Sequence, residues 1–402
     1  MIRKSLLIII ILFSLEFYQL TFIPEGIIKV SELVSIGIIA ALILINLVYG
    51  RTRSVKMRFA LPILLIFISV IISMFGAYLF QNQSFANTAY GQKAIYFYLI
   101  YFLLHLMKME DDFVIKTILS LGLVYIALYL LQYFIYPVEI TRTKMFMDRG
   151  TVRIFLAGAG YLVVAYFIWL YLAVKEYKLK YVFFLLLALG IFVLLGTRQI
   201  LATVFLLTLL FLFQSRLIKS KVLIFTLFAL ALIPVFFIFK DIFMAMYADT
   251  LEQSQNIQTD NRFEAAVFFL TKFFPSDLAY LTGNGSAYNS LYKLRLLRYS
   301  EQYGYYLSDI GLIGEYVKYG MIFVFAIFMM LYRVLRAKLT EKFMFIKYNF
   351  LSLLLALLTA GAALGSDGMS IVVNSMLLYL VDLNLSEEQP EKLEAPDDLT
   401  RS

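Results

Sequence analysis

Long apolar runs separated by short polar ones fill most of this chain. Runs at roughly 5–23, 27–49, 60–80, 93–107, 113–136, 154–174, 181–196, 199–214 and 222–239 follow one another closely, and three more occupy 309–332, 343–363 and 369–383. Most approach the ~20 residues that cross a bilayer's hydrocarbon core, so the pattern predicts an all-α polytopic membrane protein of about twelve transmembrane helices. A membrane β-barrel would need alternating segments of about ten residues, which are absent. The rhythm breaks once, over 240–308, a polar interval carrying Asp260, Arg262, Asn289, Arg295, Arg298, Glu301 and Tyr303. Loops longer than about 15 residues are uncommon and tend to be functional. The chain therefore divides into helices 1–9 over 1–239, one large loop with short helices over 240–308, helices 10–12 over 309–383, and a tail over 384–402. That tail is acidic from Glu387 to Asp398 and reads as a solvated, disordered end.

Composition adds three exclusions. The chain is 62% hydrophobic and 15% charged, and it has no cysteine, which removes disulfides, thiolate metal sites and cysteine nucleophiles. The net charge of +8 is not a nucleic-acid signal, because the cations sit mostly between spans. The first run follows Arg3 and Lys4 like a signal peptide, but it lacks a small-residue cleavage site and is interrupted at Glu16–Tyr18, so it reads as a retained span. With the N-terminus inside, the inner segments collect Arg51, Arg53, Lys56, Arg58, Arg333, Arg336, Lys338, Lys342 and further cations. The short outer segments hold only Arg142, Lys144, Arg149, Arg153 and Arg198. That bias puts both termini in the cytoplasm and the 240–308 loop outside. No internal repeat is visible, which argues against a transporter built from two matching halves.

The outer cations matter because orientation does not require them. Arg198 stands in Gly196-Thr197-Arg198-Gln199, a turn with almost no aqueous length, and Arg149 and Arg153 precede the sixth span. Ionisable groups at such depth are functional candidates, and a guanidinium fork suits phosphate. The competing reading is an interfacial arginine touching headgroups or capping a helix end. In the loop, Asp260 or Asn261 can start an amphipathic helix running to Phe274 that carries Arg262. A glycine turn follows at Gly283-Asn284-Gly285, then a second helix beginning at Tyr288-Asn289-Ser290. There Leu291, Leu294 and Leu297 share one face, while Arg295 and Arg298 lie on another. These two either bind a ligand or form a solvated basic face with Glu301 pairing Arg298. Asp309 is placed to cap the tenth helix, and Glu315 and Lys318 to form an intrahelical ion pair within it. The single histidine, His105, reads as a buried packing residue.

Taken in order, Gly-Thr-Arg at 196–198, Asn261-Arg262-Phe263, Gly283-Asn284-Gly285 and Ser308-Asp309-x-Gly311-Leu-Ile-Gly314 with Tyr319-Gly320 resemble the O-antigen polymerase and O-antigen ligase superfamily. The resemblance covers about residues 150–330 and rests on short motifs in a fixed order. It implies a GT-C-like helical fold and action on undecaprenyl-pyrophosphate-linked sugars at the outer face of a bacterial cytoplasmic membrane. It also implies that Arg198 and Arg262 contact pyrophosphate, with Arg149 and Arg153 as weaker additions. The ligases' outer-loop histidine has no counterpart here, which favours polymerase over ligase.

The chemistry so implied transfers a glycan from a pyrophosphate lipid to a sugar hydroxyl. Fixed guanidiniums would stabilise the departing pyrophosphate, and a carboxylate would deprotonate the acceptor. Asp309 is the first candidate for that base, with Asp260 and Glu301 behind it. Arg295, Arg298, Asn289 and Tyr303 are candidate substrate contacts. No metal-ligand cluster is visible, so metal-independent chemistry without a cofactor is expected. The expected partners are the lipid-linked glycan donor and acceptor, membrane lipid and a chain-length regulator, with no nucleic acid. The rivals are ligase-type transfer to another acceptor and a lipid-linked oligosaccharide flippase or transporter.

Overall fold

A computed structural model describes residues 2–48, 56–148, 150–255, 261–357 and 362–387. The protein is mostly helical, at 79%. Along the first half run α1 (Ile2–Ser14), α2 (Glu25–Val48), α3 (Ala60–Gln81), α4 (Phe85–Gly91), α5 (Leu99–Met107), α6 (Asp111–Ile135), α7 (Ala159–Glu176), α8 (Leu179–Leu194) and α9 (Arg198–Gln214). Then come α10 (Lys221–Ile238), α11 (Lys240–Gln255), α12 (Asn261–Thr271), α13 (Asp277–Thr282), α14 (Leu291–Tyr303), α15 (Leu312–Arg336), α16 (Met344–Ala356), α17 (Ala362–Gly365) and α18 (Gly368–Glu387).

Among the described residues, seven helices are long and apolar enough to cross a membrane: α2, α3, α6, α7, α10, α15 and α18. Three shorter apolar helical segments, Lys93–Met107, α8 and α9, accompany them. The membrane-protein reading therefore stands at a lower count of full-length spans than twelve. The first run stops early: α1 ends at Ser14, and Glu16, Phe17, Tyr18 and Gln19 all take positive φ, a conformation no helix continues through. In the eleventh run α16 spans thirteen residues, with 358–361 outside the described residues. The connection between α6 and α7 holds a feature outside the all-α expectation, an antiparallel hairpin of β1 (Met145–Asp148) and β2 (Thr151–Ile154).

At the centre stands α18, whose membrane window is 78% buried, with α7 beside it at 61%. Small residues permit the closest crossings. A Cβ on Gly122 of α6 would lie 2.7 Å from that of Ala165 in α7. The two ends of the bundle differ in chemistry. One, the basic end, gathers Lys4 on Glu110 at 2.7 Å and Lys342 on Asp111 and Asp112 at 2.6 and 2.9 Å. Burial works against the Lys342 ammonium, but the two carboxylates outweigh it and its pKa rises above the ordinary lysine value. Also at this end, buried Asp382 of α18 accepts from the Tyr101 hydroxyl and the Arg58 backbone N–H, and lies 3.1 Å from His105 Nε2. His105 is buried as expected, but its role is polar as well as steric. The opposite end carries the hairpin and the 261–304 segment, and is called the loop end below.

Candidate functional site

At the loop end, the turn between α8 and α9 is shaped by Gly196, which takes φ +64°. Arg153 lies across it: its Nε donates to the Leu195 carbonyl at 3.0 Å and its Nη1 meets Asp148 at 2.8 Å. The same guanidinium sits 5.7 and 5.4 Å from the ring centres of Phe146 and Phe155. Arg153 is thus engaged in holding the hairpin to the turn. Arg198, the first residue of α9, donates from Nη1 to Thr250 Oγ1 of α11 at 2.6 Å, joining the membrane bundle to the polar segment. Arg149 and Asp260 lie outside the described residues.

Two candidate turns converge on one helix end. Gln199 Nε2 donates to the Leu355 carbonyl at 3.1 Å, and the Leu312 N–H donates to the Leu357 carbonyl at 2.8 Å. Both carbonyls lie at the C-terminal end of α16, Leu355 inside it and Leu357 just past it. The sequences on either side of Arg198 and Asp309 are therefore anchored two residues apart on the same element. Asp309 does not cap α15. It lies in a 3₁₀ turn, Leu307–Ile310, takes a 2.9 Å hydrogen bond from Ser308 Oγ, and leaves the N-cap position to Gly311. A side chain at Gly311 would be strained, since its φ is +58°.

Above this floor, α12 and α14 share a small core of Ala265, Phe269, Phe273, Tyr292, Ile310 and Val317. α12 begins at Asn261 as expected but stops at Thr271, short of Phe274, and α14 begins at Leu291, where the Ser290 hydroxyl accepts from the Lys293 N–H. Arg262, Arg298, Glu301 and Tyr303 are exposed. No ion pair joins Arg298 to Glu301 among the described residues. Leu291, Leu294 and Leu297 also face outward, because α14 buries Tyr292 instead. Arg295 donates to Gln81 Oε1 at the end of α3 and lies 5.8 Å from the rings of Phe273 and Tyr292, so it clamps the segment to the bundle. Asn289 takes φ +39°, and its carbonyl accepts from Asn87 at 3.1 Å. Tyr305 donates to Glu264 at 3.1 Å; burial and that carboxylate raise its pKa.

The feature that sequence reading missed lies below. The Gly283-Asn284-Gly285 turn, with φ +74° and +69° at its glycines, dips between α3 and α15. The Asn284 and Gly285 N–H groups donate to the Val317 and Lys318 carbonyls at 2.9 and 2.8 Å. Those carbonyls are available because α15 breaks at Gly320 (φ +77°, ψ −172°). Gly76 of α3 leaves room for the Gly283 carbonyl. Gln81 Nε2 reaches Asn284 Oδ1 at 2.6 Å, and Gln83 Nε2 reaches the Ser286 carbonyl at 2.8 Å.

Beside the break, the Glu315–Lys318 pair exists at 3.0 Å, as its spacing predicted. It is wider than a pair, since Ser366 Oγ donates to Glu315 Oε1 at 2.8 Å and Lys318 Nζ lies 2.7 Å from Ser366 Oγ. A second buried pair, Lys93 with Glu32, backs a cavity of about 340 Å³ lined by Glu16, Gln19, Glu25, Lys29, Tyr90, Lys93 and Arg142. The lone signal for these was their charge within apolar runs. Among the described residues, no group of three or more His, Asp and Glu is arranged to hold a metal. No protein family, curated protein or solved structure matches this chain.

Proposed function

We propose that the protein polymerises undecaprenyl-pyrophosphate-linked oligosaccharide repeat units into O-antigen or capsular polysaccharide at the outer face of a bacterial cytoplasmic membrane, its termini inside. The observation that carries this reading is the shared anchorage of the Arg198 and Asp309 turns on the end of α16. The stretches that bear this cation and this carboxylate are both tied to one helix end, and the polar segment between them in the chain bears Arg262. In the proposed reaction the acceptor hydroxyl oxygen bonds to the donor's anomeric carbon while the bond to the pyrophosphate oxygen breaks. The electron pair leaves with pyrophosphate, whose charge Arg198 and Arg262 stabilise. The hydroxyl proton passes to a carboxylate, Asp309 first and Glu301 behind it.

A second reading, transport of the lipid-linked oligosaccharide, is favoured by one observation: α15 is discontinuous, with a buried ion pair at the break. Discontinuous helices commonly form transporter sites. Purified protein incubated with synthetic undecaprenyl-pyrophosphate repeat unit separates the cases. A ladder of longer lipid-linked glycans is expected, abolished in both Arg198→Ala and Arg262→Ala. Transfer only to an added, different acceptor would indicate a ligase. Intact substrate moving across vesicle bilayers would overturn both enzyme readings.

A further inference from the structure

At the basic end, α3 begins where α15 finishes. The cleft between them has a volume of about 960 Å³, and Lys56, Arg58, Arg333, Arg336 and Lys338 line it together with Leu61, Leu64 and Tyr332. Among the described residues, five cations and no carboxylate line this cleft. Asp382, close by, is fully buried and already accepts from Tyr101 and the Arg58 N–H, with His105 on its other side. The cations are held in place. Arg333 donates to the Arg58 carbonyl, Arg58 Nη2 reaches the Leu385 carbonyl at 3.5 Å, and Arg336 lies over the Tyr332 ring at 5.3 Å. Arg58 Nε is buried and has no hydrogen-bond acceptor among the described residues. A buried guanidinium N–H without a partner costs about 1–3 kcal/mol or more, so an acceptor oxygen there is worth having. The start of α3 adds the positive end of its helix dipole.

What enters this cleft has an apolar part as well. On α3, Leu61, Leu64, Ile68 and Ile71 are 46–55% exposed at helical spacing, and on α15 Phe325, Phe328 and Tyr332 are 48–60% exposed. Both rows run from the cleft along the outside of the bundle, the path an acyl chain takes beside a membrane helix. A free phosphate would use the cations and leave this track without a purpose.

We propose that the cleft binds the phosphate headgroup of an anionic phospholipid, its acyl chain lying along the α3 and α15 rows. Arg333 and Arg336 face the phosphate oxygens, and Arg58 Nε supplies the buried donor. This site is at the opposite end of the bundle from Arg198 and Asp309, and it does not depend on the polymerase reading. Basic pockets between membrane helices are the usual headgroup sites at such faces.

Native mass spectrometry of the full chain in detergent, titrated with phosphatidylglycerol, phosphatidylcholine or inorganic phosphate, tests it. Phosphatidylglycerol adducts should form at concentrations where phosphatidylcholine gives few, and millimolar inorganic phosphate should not displace them. In R336Q/K338Q, whose side chains make no hydrogen bond among the described residues, phosphatidylglycerol binding should weaken about tenfold or more with unchanged thermal stability. R333Q should weaken it as well, and if that variant does not fold the double variant still decides. Equal binding of the two lipids, wild-type affinity in the double variant, or displacement by inorganic phosphate would each overturn the proposal.

Discussion

Asn284 is the residue on which the dipping segment depends most directly, and its contribution can be worked from its contacts. It is completely buried; Oδ1 accepts from Gln81 Nε2 at 2.6 Å, and Nδ2 lies 3.2 Å from the Val317 carbonyl. Asn284→Ala removes both side-chain hydrogen bonds, a net loss of about 1 kcal/mol each, and leaves the buried Gln81 amide without its acceptor for about 1 kcal/mol or more. The total, about 3 kcal/mol, should fall on docking of the 283–286 segment rather than on the bundle. The absence of cysteine allows a direct assay. A single cysteine at Ala279, which is fully buried in α13, reacts with a thiol reagent only when the segment opens. At ~1.4 kcal/mol per decade, Asn284→Ala should accelerate that labelling about a hundredfold. A cysteine at Ser375, fully buried in α18, should label at the unchanged rate. Asn284→Asp keeps the acceptor for Gln81 but turns a carboxylate oxygen toward the Val317 carbonyl, so it should not rescue. An acceleration below threefold at position 279, or equal acceleration at 375, would refute the argument.

Other predictions concern the polar groups inside the bundle. Asp382→Ala strands the donors of Tyr101 and Arg58 and should cost about 3–5 kcal/mol, read as a lower apparent melting temperature in detergent, whereas Asp382→Asn retains an acceptor and should cost less. Gly365→Ala would push a methyl group into the Glu315 carboxylate that Lys318 and Ser366 hold, and should destabilise by about 1–3 kcal/mol; Glu315→Ala, which removes the obstructing carboxylate, should lessen that penalty in the double variant. Lys342 has its folded pKa raised by Asp111 and Asp112, so its contribution is complete below the unfolded value of about 10.4 and is lost as pH rises through the higher folded pKa. The gap in melting temperature between wild type and Lys342→Gln should accordingly hold near pH 9 and close toward pH 12.

Hydropathy alone located the helices because bilayer-length apolar runs need no tertiary knowledge. It does not tell where a helix stops when the reason is conformational. Nothing in the composition of Glu16–Gln19 announces four consecutive residues at positive φ. Gly320 was visible as a glycine in an apolar helix, but its break is stabilised by carbonyl acceptors meeting Asn284 and Gly285, more than thirty residues away. Long-range pairings of this kind leave no local period. The same limit applied to Arg295, whose partner Gln81 belongs to another helix, and to Asp309, whose capping role was displaced by Gly311. On α14 the period showed that the leucines share a face but not which way that face turns; Tyr292 is the residue that points inward. The Glu315–Lys318 pair was legible because its partners are one helical turn apart.

The burial of α18 has a consequence for how the molecule is made. Among the described helices, α18, which fills the middle of the bundle, comes last in chain order, so each of the others must enter the membrane around a place still vacant. Until α18 arrives, Tyr101, His105 and the Arg58 N–H lack Asp382, and the surfaces it later covers meet only lipid or one another. Maturation then amounts to threading a keystone into an arch already standing. Chains stopped just short of α18 should be recognised by membrane proteases even though nearly all of their helices are in place.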